Sequence, residues 1–329
     1  MINLAYICSA ARSGSTLLNQ LIGTHPNALP AGEIARLSKN IALNTICSCG
    51  DPVRKCAFWL PTIDKLGRDI GKDLWKDPYA LDLGFIRAVS EVDRGRQTRW
   101  YLVKRSAYMG WLELLNAVSI DTSKSYLSSQ YQHWIRENLR VQDALRERSG
   151  RSVVVDSSKG FRIAAGLYRS RPESTRIILL ARDGRGVIAS YLRSGASLRD
   201  SVKNWKVYYE RSMRWMERNV APEHVLHVHY EDLVRNPDEA LGRIFAFLGL
   251  PAMRKFDDER RSEGHILAGN RGTLRSSGIN SDERWKSELS SGQIDYFWKL
   301  AGPTMDKLGY ATGGSAPRSA SHLVDSVSD

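Results

Sequence analysis

The chain has 329 residues, of which 42% are hydrophobic and 26% charged, so it can bury a sizeable core and wholesale disorder is excluded. With 48 Lys and Arg residues against 36 Asp and Glu residues, the formal net charge of +12 indicates an anionic ligand or substrate. The sequence lacks an apolar run near the roughly 18–20 residues of a membrane helix, and it lacks the zinc-finger, RNP-type and lysine-rich patterns of nucleic-acid-binding proteins. We therefore expect neither a membrane span nor a nucleic-acid partner.

The amino-terminal sequence and the cysteine content indicate the cellular compartment of the protein. Residues 1–11 are apolar but carry no basic segment, and they lead directly into a glycine-containing turn, so we expect no signal peptide. Four cysteines are too few for a disulfide scaffold and fit a reducing compartment. A cytoplasmic location is therefore the expectation.

Short aliphatic and β-branched runs alternate with helical patterns along the chain. The first run, 3–8, leads through the turn 9–14 into a helical pattern over 15–22. Each further run is followed by a polar turn and a helix-compatible stretch, and these predicted strands are 152–155, 177–181 and 224–230. Strands that alternate with helices predict an α/β fold with a parallel sheet flanked by helices.

The remaining segments complete one predicted domain over residues 1–312. Residues 47–150 are helical in pattern and interrupt the succession of strands, so we interpret them as a helical insertion. Helices are predicted over 129–148, 237–248 and 293–308, the last with one internal Gly-Pro break. Residues 313–329 are rich in Ser, Ala and Gly and predict a disordered tail.

The turn after the first strand has the composition of an anion site. A strand that ends in a tight glycine turn and opens a helix gathers unpaired backbone N–H groups at the positive end of that helix. Arg12 adds a fork of donors, Gly14 allows close backbone approach, and hydroxyls come from Ser13, Ser15 and Thr16. A Walker A loop would have a lysine before the Ser/Thr, so a kinase or other phosphotransferase is the alternative that this loop disfavours.

A second turn of this kind follows the strand 177–181. It reads Arg182-Asp183-Gly184-Arg185 and opens a helical stretch that contains Ser190. Two strand-loop-helix anion sites in one sheet suit a ligand with two separated phosphate-type groups. Together these motifs resemble the sulfotransferases that use 3′-phosphoadenosine 5′-phosphosulfate (PAPS), over roughly residues 3–36 and 152–310.

Four motifs carry the resemblance. Residues 12–17 are similar to the family's 5′-phosphosulfate loop in its R-S-G-[ST]-T version, and Glu33 has the spacing of an acid in the tyrosylprotein group. Arg182 and Ser190 are eight residues apart, as in the 3′-phosphate motif, and residues 229–233 resemble the Y-E-D-L segment. The resemblance implies a P-loop-like sheet, PAPS as sulfuryl donor and no required metal. It implies a cofactor site formed by Arg12, Ser13, Gly14, Ser15, Thr16, Arg182, Ser190, Tyr230, Arg271 and Arg284.

Sulfuryl transfer also needs residues on each side of the sulfur atom. On the leaving side we expect Arg12 and Lys159, whose charges meet the negative charge that develops on the phosphate. On the acceptor side the resemblance implies that Glu33 is the base that takes the hydroxyl proton. His25 is the alternative base, although its position before Pro26 is more typical of a turn. The acceptor is a small molecule, a carbohydrate or a lipid, and these alternatives stay open.

The insertion finds no counterpart in the family and is predicted to form the acceptor pocket. Aromatic faces bind sugars and apolar acceptors, while core packing is the alternative role for each ring. The candidates are Phe58, Trp59, Trp75, Trp100, Tyr101, Tyr108 and Trp111. A nucleotide-binding relative without turnover is the non-enzymatic alternative.

Three cysteines at the start of the insertion resemble three of the four ligands of a zinc knuckle. Cys47, Cys49 and Cys56 have a suitable spacing, but a structural zinc takes four protein ligands and no fourth is evident nearby. Plain thiols or a loop disulfide are therefore expected, with no metal in the site.

Overall fold

Five parallel strands form one sheet at the centre of the structure, a computed structural model that describes residues 1–84, 110–111, 126–253, 264–275, 278–279 and 281–310. The strands are β1 (Leu4–Cys8), β2 (Ala28–Gly32), β3 (Val153–Lys159), β4 (Thr175–Ala181) and β5 (Val225–His229). They pair in the order β2-β3-β1-β4-β5, always in parallel. The predicted fold class, a parallel α/β sheet flanked by helices, is confirmed.

Helices pack on both faces of this sheet. Before β3 they are α1 (Ser15–Ile22), α2 (Leu37–Ala42), α3 (Trp59–Ile70) and α4 (Tyr126–Ser149). Between β3 and β5 they are α5 (Phe161–Ser170), α6 (Gly184–Arg193) and α7 (Leu198–Asn219). After β5 they are α8 (Tyr230–Arg235), α9 (Pro237–Phe247), α10 (Arg271–Arg275), α11 (Trp285–Glu288) and α12 (Ser291–Lys307). None of the helices in the described part of the chain is both long and apolar enough to cross a bilayer.

Alternate side chains of the strands enter two separate cores, one on each face of the sheet. Tyr6 and Leu179 pack in a cluster with α5 and α7. Ile7 and Ile178 pack in the other cluster, with α1 and α9. Residues 153–155 are at most 1% exposed, because helices on both faces of a parallel sheet hide both sides of its inner strands. This double burial is why continuous aliphatic runs, rather than alternating ones, predicted the inner strands.

The edge strand β2 has no counterpart among the predicted strands. Its sequence, ALPAG, contains no β-branched residue, and Pro30 cannot donate a hydrogen bond to a neighbouring strand. An edge position tolerates this proline because only one side of the strand is paired. Gly32 has a φ of 69°, and a Cβ there would lie 2.7 Å from Ile266 Cγ2. The strand therefore brings Glu33 to the sheet and lets a later segment cross directly over its end.

The predicted helices are observed, with small shifts at their ends and one internal difference. The helix α4 contains the predicted 129–148, and α9 ends one residue before the predicted 237–248. The predicted break in the last helix is wrong, because α12 continues through Pro303. The proline removes one backbone hydrogen bond, but fully buried Ala301 and Met305 on either side hold the helix against the core.

Part of the predicted insertion packs at the β2 edge of the sheet. The helices α3 and α4 form a third core there, in which Leu29 of β2 meets Trp59 and Leu145. The boundaries of a single domain over 1–312 and of an insertion over 47–150 stay predictions. The aromatic candidates Trp100, Tyr101 and Tyr108 and the tail 313–329 lie outside the described residues.

Candidate functional site

The carboxyl ends of the five strands bring the predicted site residues to one edge of the sheet. The loop 9–14 follows β1, Glu33 follows β2, Lys159 ends β3, Arg182 follows β4 and Tyr230 follows β5. In the strand order, Glu33 and Lys159 lie on one side of the central loop, whereas Arg182 and Tyr230 lie on the other. This edge is where open α/β sheets bind their ligands.

The loop after β1 presents the amino end of α1. Arg12 and Gly14 are left-handed, with φ values of 70° and 89°. A Cβ at Gly14 would lie 2.4 Å from Tyr230 Cδ2, so only glycine lets the tyrosine ring pack against the loop. Gly14 is the N-cap of α1 and Ser15 begins it, buried, with no side-chain hydrogen bond from the N-cap. The N–H groups of the first turn, with the positive helix end, are therefore available to an anion.

Two of the predicted hydroxyls, those of Ser13 and Thr16, are engaged with other parts of the protein. Ser13 is fully buried, and its Oγ lies 3.1 Å from Tyr209 Oη, which donates to Leu180 O at 2.9 Å. Thr16 Oγ1 accepts a hydrogen bond from Asn270 N at 3.0 Å. Because its hydroxyl contacts Tyr209, Ser13 can bind an anion through its backbone N–H, whereas the sequence suggested its hydroxyl. Tyr209 belongs to α7, and no sequence motif indicated its role under the loop.

Glu33 lies between two cations. Lys159 Nζ donates to Glu33 Oε1, and Arg36 Nε lies 2.8 Å from Glu33 Oε2. The Glu33 side chain is 10% exposed, so its carboxylate has little access to bulk water. The predicted base and the predicted leaving-side lysine thus form a single ion pair.

Lys159 is held in an unfavourable backbone conformation. Its φ of 71° lies in the left-handed region, which costs a residue with a Cβ about 1–2 kcal/mol. Tyr208 Oη donates to Lys159 O at 2.6 Å, and Tyr6 Oη donates to Gly160 O at 3.1 Å. Burial lowers the pKa of Lys159, against the attraction of Glu33, which raises it. The two tyrosines therefore fix the turn that aims this lysine at Glu33.

A buried carboxylate supports the same turn. Asp156 is fully buried, and its Oδ1 accepts hydrogen bonds from Ser158 N at 2.8 Å and from Ser158 Oγ. Ser158 Oγ in turn accepts a hydrogen bond from Ala35 N at 3.0 Å. Burial raises the pKa of Asp156 to about 6. Asp156 thereby connects the end of β3 to the turn that contains Glu33, a role that its position before two serines did not reveal.

Arg182 connects the central loop to a late segment of the chain. Its Nη1 donates to Arg12 O at 3.1 Å, and its Nη2 donates to Asp282 O at 2.9 Å and lies 3.1 Å from Asp282 Oδ2. The guanidinium carbon lies 4.5 Å from the centre of the Tyr230 ring. The structure thus brings together the predicted residues Arg182 and Tyr230, and the Tyr230 ring lies between Arg182 and Gly14.

Three arginines surround the carboxylate of Asp282. Besides Arg182, Arg284 Nε lies 2.7 Å from Oδ1, and Arg193 Nη2 lies 3.7 Å from Oδ2. Hydrogen bonds from Arg284 and Arg182 hold the pKa of Asp282 well below its ordinary value. The predicted pair Arg182 and Arg284 is therefore brought together, and Arg193 joins it from α6.

Two further members of the predicted cofactor set lie near these groups in the chain. Ser190 is partly exposed in α6, one turn before Arg193. Arg271 begins α10 directly after Asn270, whose backbone contacts Thr16, but the side chain of Arg271 lies outside the described part of the chain. The backbone at Arg271 therefore lies beside the central loop.

Glu231 of the Y-E-D-L segment holds the turn after β4. Asp183 N donates to Glu231 Oε1 at 3.0 Å, and Tyr310 Oη donates to Oε2 at 2.7 Å. Burial raises the pKa of Glu231. The segment thus positions Arg182 through its neighbour Asp183, in addition to supplying Tyr230.

His25 has both ring nitrogens engaged by the backbone. Its Nε2 lies 3.1 Å from Pro251 O, and its Nδ1 accepts a hydrogen bond from Asn27 N at 3.0 Å. The residue is 2% exposed, and burial lowers its pKa. This geometry favours the turn role over that of an alternative base.

The three cysteines of the predicted partial knuckle meet a histidine from a distant part of the chain. The Sγ atoms of Cys47, Cys49 and Cys56 and a ring nitrogen of His265 all lie within 4.8 Å of one another. The cysteines are free thiols, so the expected loop disulfide is not formed. The sequence showed no fourth ligand near the cysteines, because 209 residues of chain separate His265 from Cys56 and no local spacing could relate them.

The described aromatic residues of the insertion mainly pack against protein. Trp59 is 1% exposed in the third core, and Trp75 Nε1 donates to Asp64 Oδ1 at 2.6 Å. Phe58 stacks on His265 with ring centres 5.0 Å apart, and Trp111 packs against the core on the α5 and α7 face. Trp59 is therefore unavailable to an acceptor, and the acceptor pocket stays a prediction.

Comparison with known proteins identifies relatives by sequence. A model described as "Sulfotransferase family" matches residues 144–254, the segment that carries β3 to β5 and therefore Lys159, Arg182, Ser190 and Tyr230. Carbohydrate sulfotransferase 1 of Danio rerio is 24% identical over 182 residues, which are 47% of this chain and 42% of that protein. Its Homo sapiens counterpart is 23% identical over 201 residues, which are 53% of this chain and 48% of that protein. The chain spans about half the length of these relatives.

A solved structure has the same fold. The sulfotransferase domain from the curacin biosynthetic pathway superimposes with a TM-score of 0.51 at 17% identity, and the match covers 94% of this chain and 99% of that domain. The parallel sheet with its flanking helices is therefore a shared architecture. Together with the family segment, it confirms the resemblance to sulfotransferases that the sequence motifs indicated.

Proposed function

We propose that this relative of the carbohydrate sulfotransferases transfers the sulfuryl group of PAPS to the hydroxyl of an acceptor. The observation that carries the proposal is the division of the sheet edge into an Arg12 loop at the centre, a Glu33–Lys159 pair on one side and Arg182 on the other. PAPS needs two anion sites, one for its phosphosulfate and one for its 3′-phosphate, and the acceptor needs a base beside the first. Residues suited to each of these three roles lie along this one edge, which supports the proposal.

The 5′-phosphosulfate would lie at the amino end of α1. The first-turn N–H groups and the positive helix end favour an anion there, and Gly14 lets its oxygens approach the backbone. Arg12 is exposed at the rim of the loop and supplies a charged fork of donors. Lys159 lies across the β1–β3 pairing from the loop, because Cys8 is the register partner of Lys159.

The 3′-phosphate would lie on the other side of the loop, against Arg182. Arg284 and Arg193 reach the same place, where they now surround the carboxylate of Asp282. A carboxylate held by three guanidinium groups marks a position that suits a phosphate, which carries more charge and more acceptor oxygens. The Tyr230 ring, which packs against both Gly14 and Arg182, would border the nucleoside.

In the proposed reaction the acceptor oxygen attacks sulfur in line with the S–O bond to the 5′-phosphate. That bond breaks, and its electron pair stays on the phosphate oxygen, so adenosine 3′,5′-bisphosphate (PAP) and a sulfate ester are the products. Glu33 accepts the proton of the acceptor hydroxyl. Lys159, Arg12 and the helix end stabilise the negative charge that develops on the leaving phosphate. These groups need no metal ion for the transfer itself.

A carbohydrate hydroxyl is the first acceptor class to test, because both relatives are carbohydrate sulfotransferases by name. Small-molecule and lipid alcohols are the alternatives, and the acceptor would enter on the Glu33 side of the loop. The test is acceptor-dependent release of PAP from PAPS by the purified chain, measured with a panel of sugars, sterols and phenols without added magnesium. ATP with magnesium and the same acceptors provides the kinase control.

The proposal predicts PAP release that needs an acceptor, together with binding of PAP that raises the melting temperature by mass action. Phosphate transfer from ATP without PAP binding would instead support the phosphotransferase alternative. Tight PAP binding without turnover on any acceptor in the panel would support a nucleotide-binding relative that lacks catalysis.

A further inference from the structure

Four potential metal ligands converge at the β2 edge of the protein, outside the proposed transfer site. Cys56 Sγ lies 3.3 Å from His265 Nδ1, Cys47 Sγ lies 3.8 Å from the same nitrogen, and Cys49 Sγ lies 3.7 Å from Cys56 Sγ. Cys47 and Cys56 are buried, His265 is half-buried and Cys49 is exposed. A cluster of three thiols and an imidazole with one exposed member resembles a coordination site that opens to solvent on one side.

We propose that Cys47, Cys49, Cys56 and His265 bind one structural zinc ion. Zinc–sulfur bonds of about 2.3 Å and zinc–nitrogen bonds of about 2.0–2.1 Å, arranged as a tetrahedron, separate two sulfurs by about 3.8 Å and a sulfur from a nitrogen by about 3.6 Å. Three of the separations, 3.3, 3.7 and 3.8 Å, are close to these values, and all four ligand atoms lie within 4.8 Å of one another. Three thiolates with one imidazole select zinc over magnesium or calcium, which prefer oxygen ligands. Four protein ligands leave no position for a substrate, so the site is structural.

The backbone around the cysteines is shaped for such a site. Cys47 N donates to Asp51 O at 2.8 Å, and Gly50 N donates to Cys47 O at 3.0 Å. Gly50 has a φ of 98°, which turns the chain sharply after Cys49. Cys56 follows in a second turn, with its N–H on Pro52 O at 2.9 Å. The loop thereby returns all three sulfurs to one point.

The histidine is oriented by contacts that do not involve the sulfurs. Trp59 Nε1 donates to His265 O at 2.6 Å, and Phe58 stacks on the imidazole at an interplanar angle of 8°. Ser48 N donates to Ile266 O, and Ile266 N donates to Ser48 Oγ, each at 2.9 Å. These bonds fix the segment of His265 to the cysteine loop, and the stacked Phe58 ring holds the plane of the imidazole whose Nδ1 faces the thiols.

The site would anchor a segment that reaches the central loop. After His265 the chain crosses Gly32, where Ile266 would meet any added Cβ, and Asn270 N then bonds to Thr16 Oγ1 at 3.0 Å. Zinc would therefore attach residues 264–270 to the loop 47–56. The inference depends only on the geometry of the four ligands and does not rest on the proposed sulfuryl transfer.

The first test is the metal content of the full chain, purified under reducing conditions from zinc-supplemented cells. We expect about one zinc per chain, and replacement by cobalt should give the thiolate-to-metal absorption of a tetrahedral site. Cys49→Ser changes the exposed ligand, so it should lose zinc with little effect on folding. His265→Ala should also lose zinc, whereas His265→Cys, which keeps four ligands, should retain it. Cys8→Ala removes a buried thiol outside the cluster and should leave the zinc content unchanged.

Several results would overturn the proposal. One is a native chain that contains no zinc and gives no cobalt–thiolate band. Another is a Cys49–Cys56 disulfide in reduced preparations. A third is full zinc content in both Cys49→Ser and His265→Ala. The anchoring role has a separate readout, because removal of zinc should increase amide hydrogen exchange across 264–270. Unchanged exchange in that segment after loss of the metal would contradict it.

Discussion

The guanidinium of Arg182 is paired with the carboxylate of Asp282, with Nη2 3.1 Å from Oδ2, at the place where the 3′-phosphate of PAPS is proposed to bind. The Arg182 side chain is 8% exposed, so contacts with protein groups rather than with water hold its guanidinium in place. A phosphate that binds Arg182 must share it with Asp282 or displace the carboxylate. Substitution of Arg182 therefore removes a cation from the proposed phosphate subsite, whereas substitution of Asp282 removes the anion that competes with the phosphate.

Arg182→Ala should weaken PAP binding by roughly 10- to 100-fold, since loss of a charge-assisted hydrogen bond costs about 1.5–3 kcal/mol. Calorimetric titration with PAP measures the change. Adenosine 5′-monophosphate, which lacks the 3′-phosphate, is the matched ligand and should lose much less affinity. Equal losses for both nucleotides would show that Arg182 does not bind the 3′-phosphate.

Asp282→Asn should strengthen PAP binding by roughly fivefold, because it removes a like charge worth about 1 kcal/mol while it keeps the shape of the side chain. The backbone contact of Asp282 O with Arg182 is unaffected by the substitution. The gain should again be larger for PAP than for adenosine 5′-monophosphate. A loss of PAP affinity would mean that Asp282 orients Arg182 for the phosphate instead of competing with it.

Arg12→Ala and Arg12→Gly should weaken PAP binding equally, by roughly 10-fold or more, because both remove the guanidinium. They should differ in stability. At a φ of 70°, glycine avoids the strain of a Cβ, so Arg12→Gly should be more stable than Arg12→Ala by about 1 kcal/mol. Titration with PAP and denaturant unfolding measure the two effects. Unequal affinities would show that the loop backbone, rather than the side chain, determines binding at this position.

Local sequence patterns predicted most of the sheet and of the candidate site. The strands β1, β3 and β4 are buried runs in the middle of the sheet, β5 is a shorter and partly buried edge strand, and the residues at the ends of these four strands lie at the carboxyl edge. The edge strand β2 was missed because Ala, Pro and Gly pack under a crossing segment without giving a strand pattern. Residue type explains the difference, because β2 is fully buried yet lacks the β-branched residues that give a strand pattern.

The contacts that tune the site could not be predicted, since they join distant parts of the chain. Asp282 is 100 residues from Arg182, Tyr208 is 49 residues from Lys159, and His265 is 209 residues from Cys56. Each partner is an ordinary residue in its own segment, and only the order of the strands brings it to its place. A local sequence pattern indicates which residues of a segment are buried. Contacts between distant residues depend instead on which segments the strand order places side by side.

Asp156→Asn should flatten the pH dependence of stability between about pH 4 and pH 6. The folded pKa of about 6 exceeds the ordinary value of 3.8, so the folded chain holds a proton in this range that the unfolded chain has released. The associated stability is fully present below pH 4 and is lost as the pH rises through 6, by about 3 kcal/mol for a difference of about 2 units.

Urea unfolding of the unmodified chain and of Asp156→Asn at several pH values isolates this contribution, because every other titrating group is common to both. Asparagine can still accept the hydrogen bonds of Ser158 through its oxygen. A difference between the two free energies of unfolding that does not change with pH would contradict the raised pKa of Asp156.

Glu33→Gln should reduce turnover by about 10²–10⁴-fold on a poorly acidic alcohol and leave PAP affinity nearly unchanged, since it removes the proton acceptor but keeps size and polarity. It also releases Lys159 from its ion pair, so the leaving side keeps its cation. An acidic phenol, which ionises unaided, should lose far less turnover. Arg36→Ala, which removes the other partner of Glu33, is the matched control and should retain most activity. Nearly full turnover of Glu33→Gln on the alcohol would place the base elsewhere.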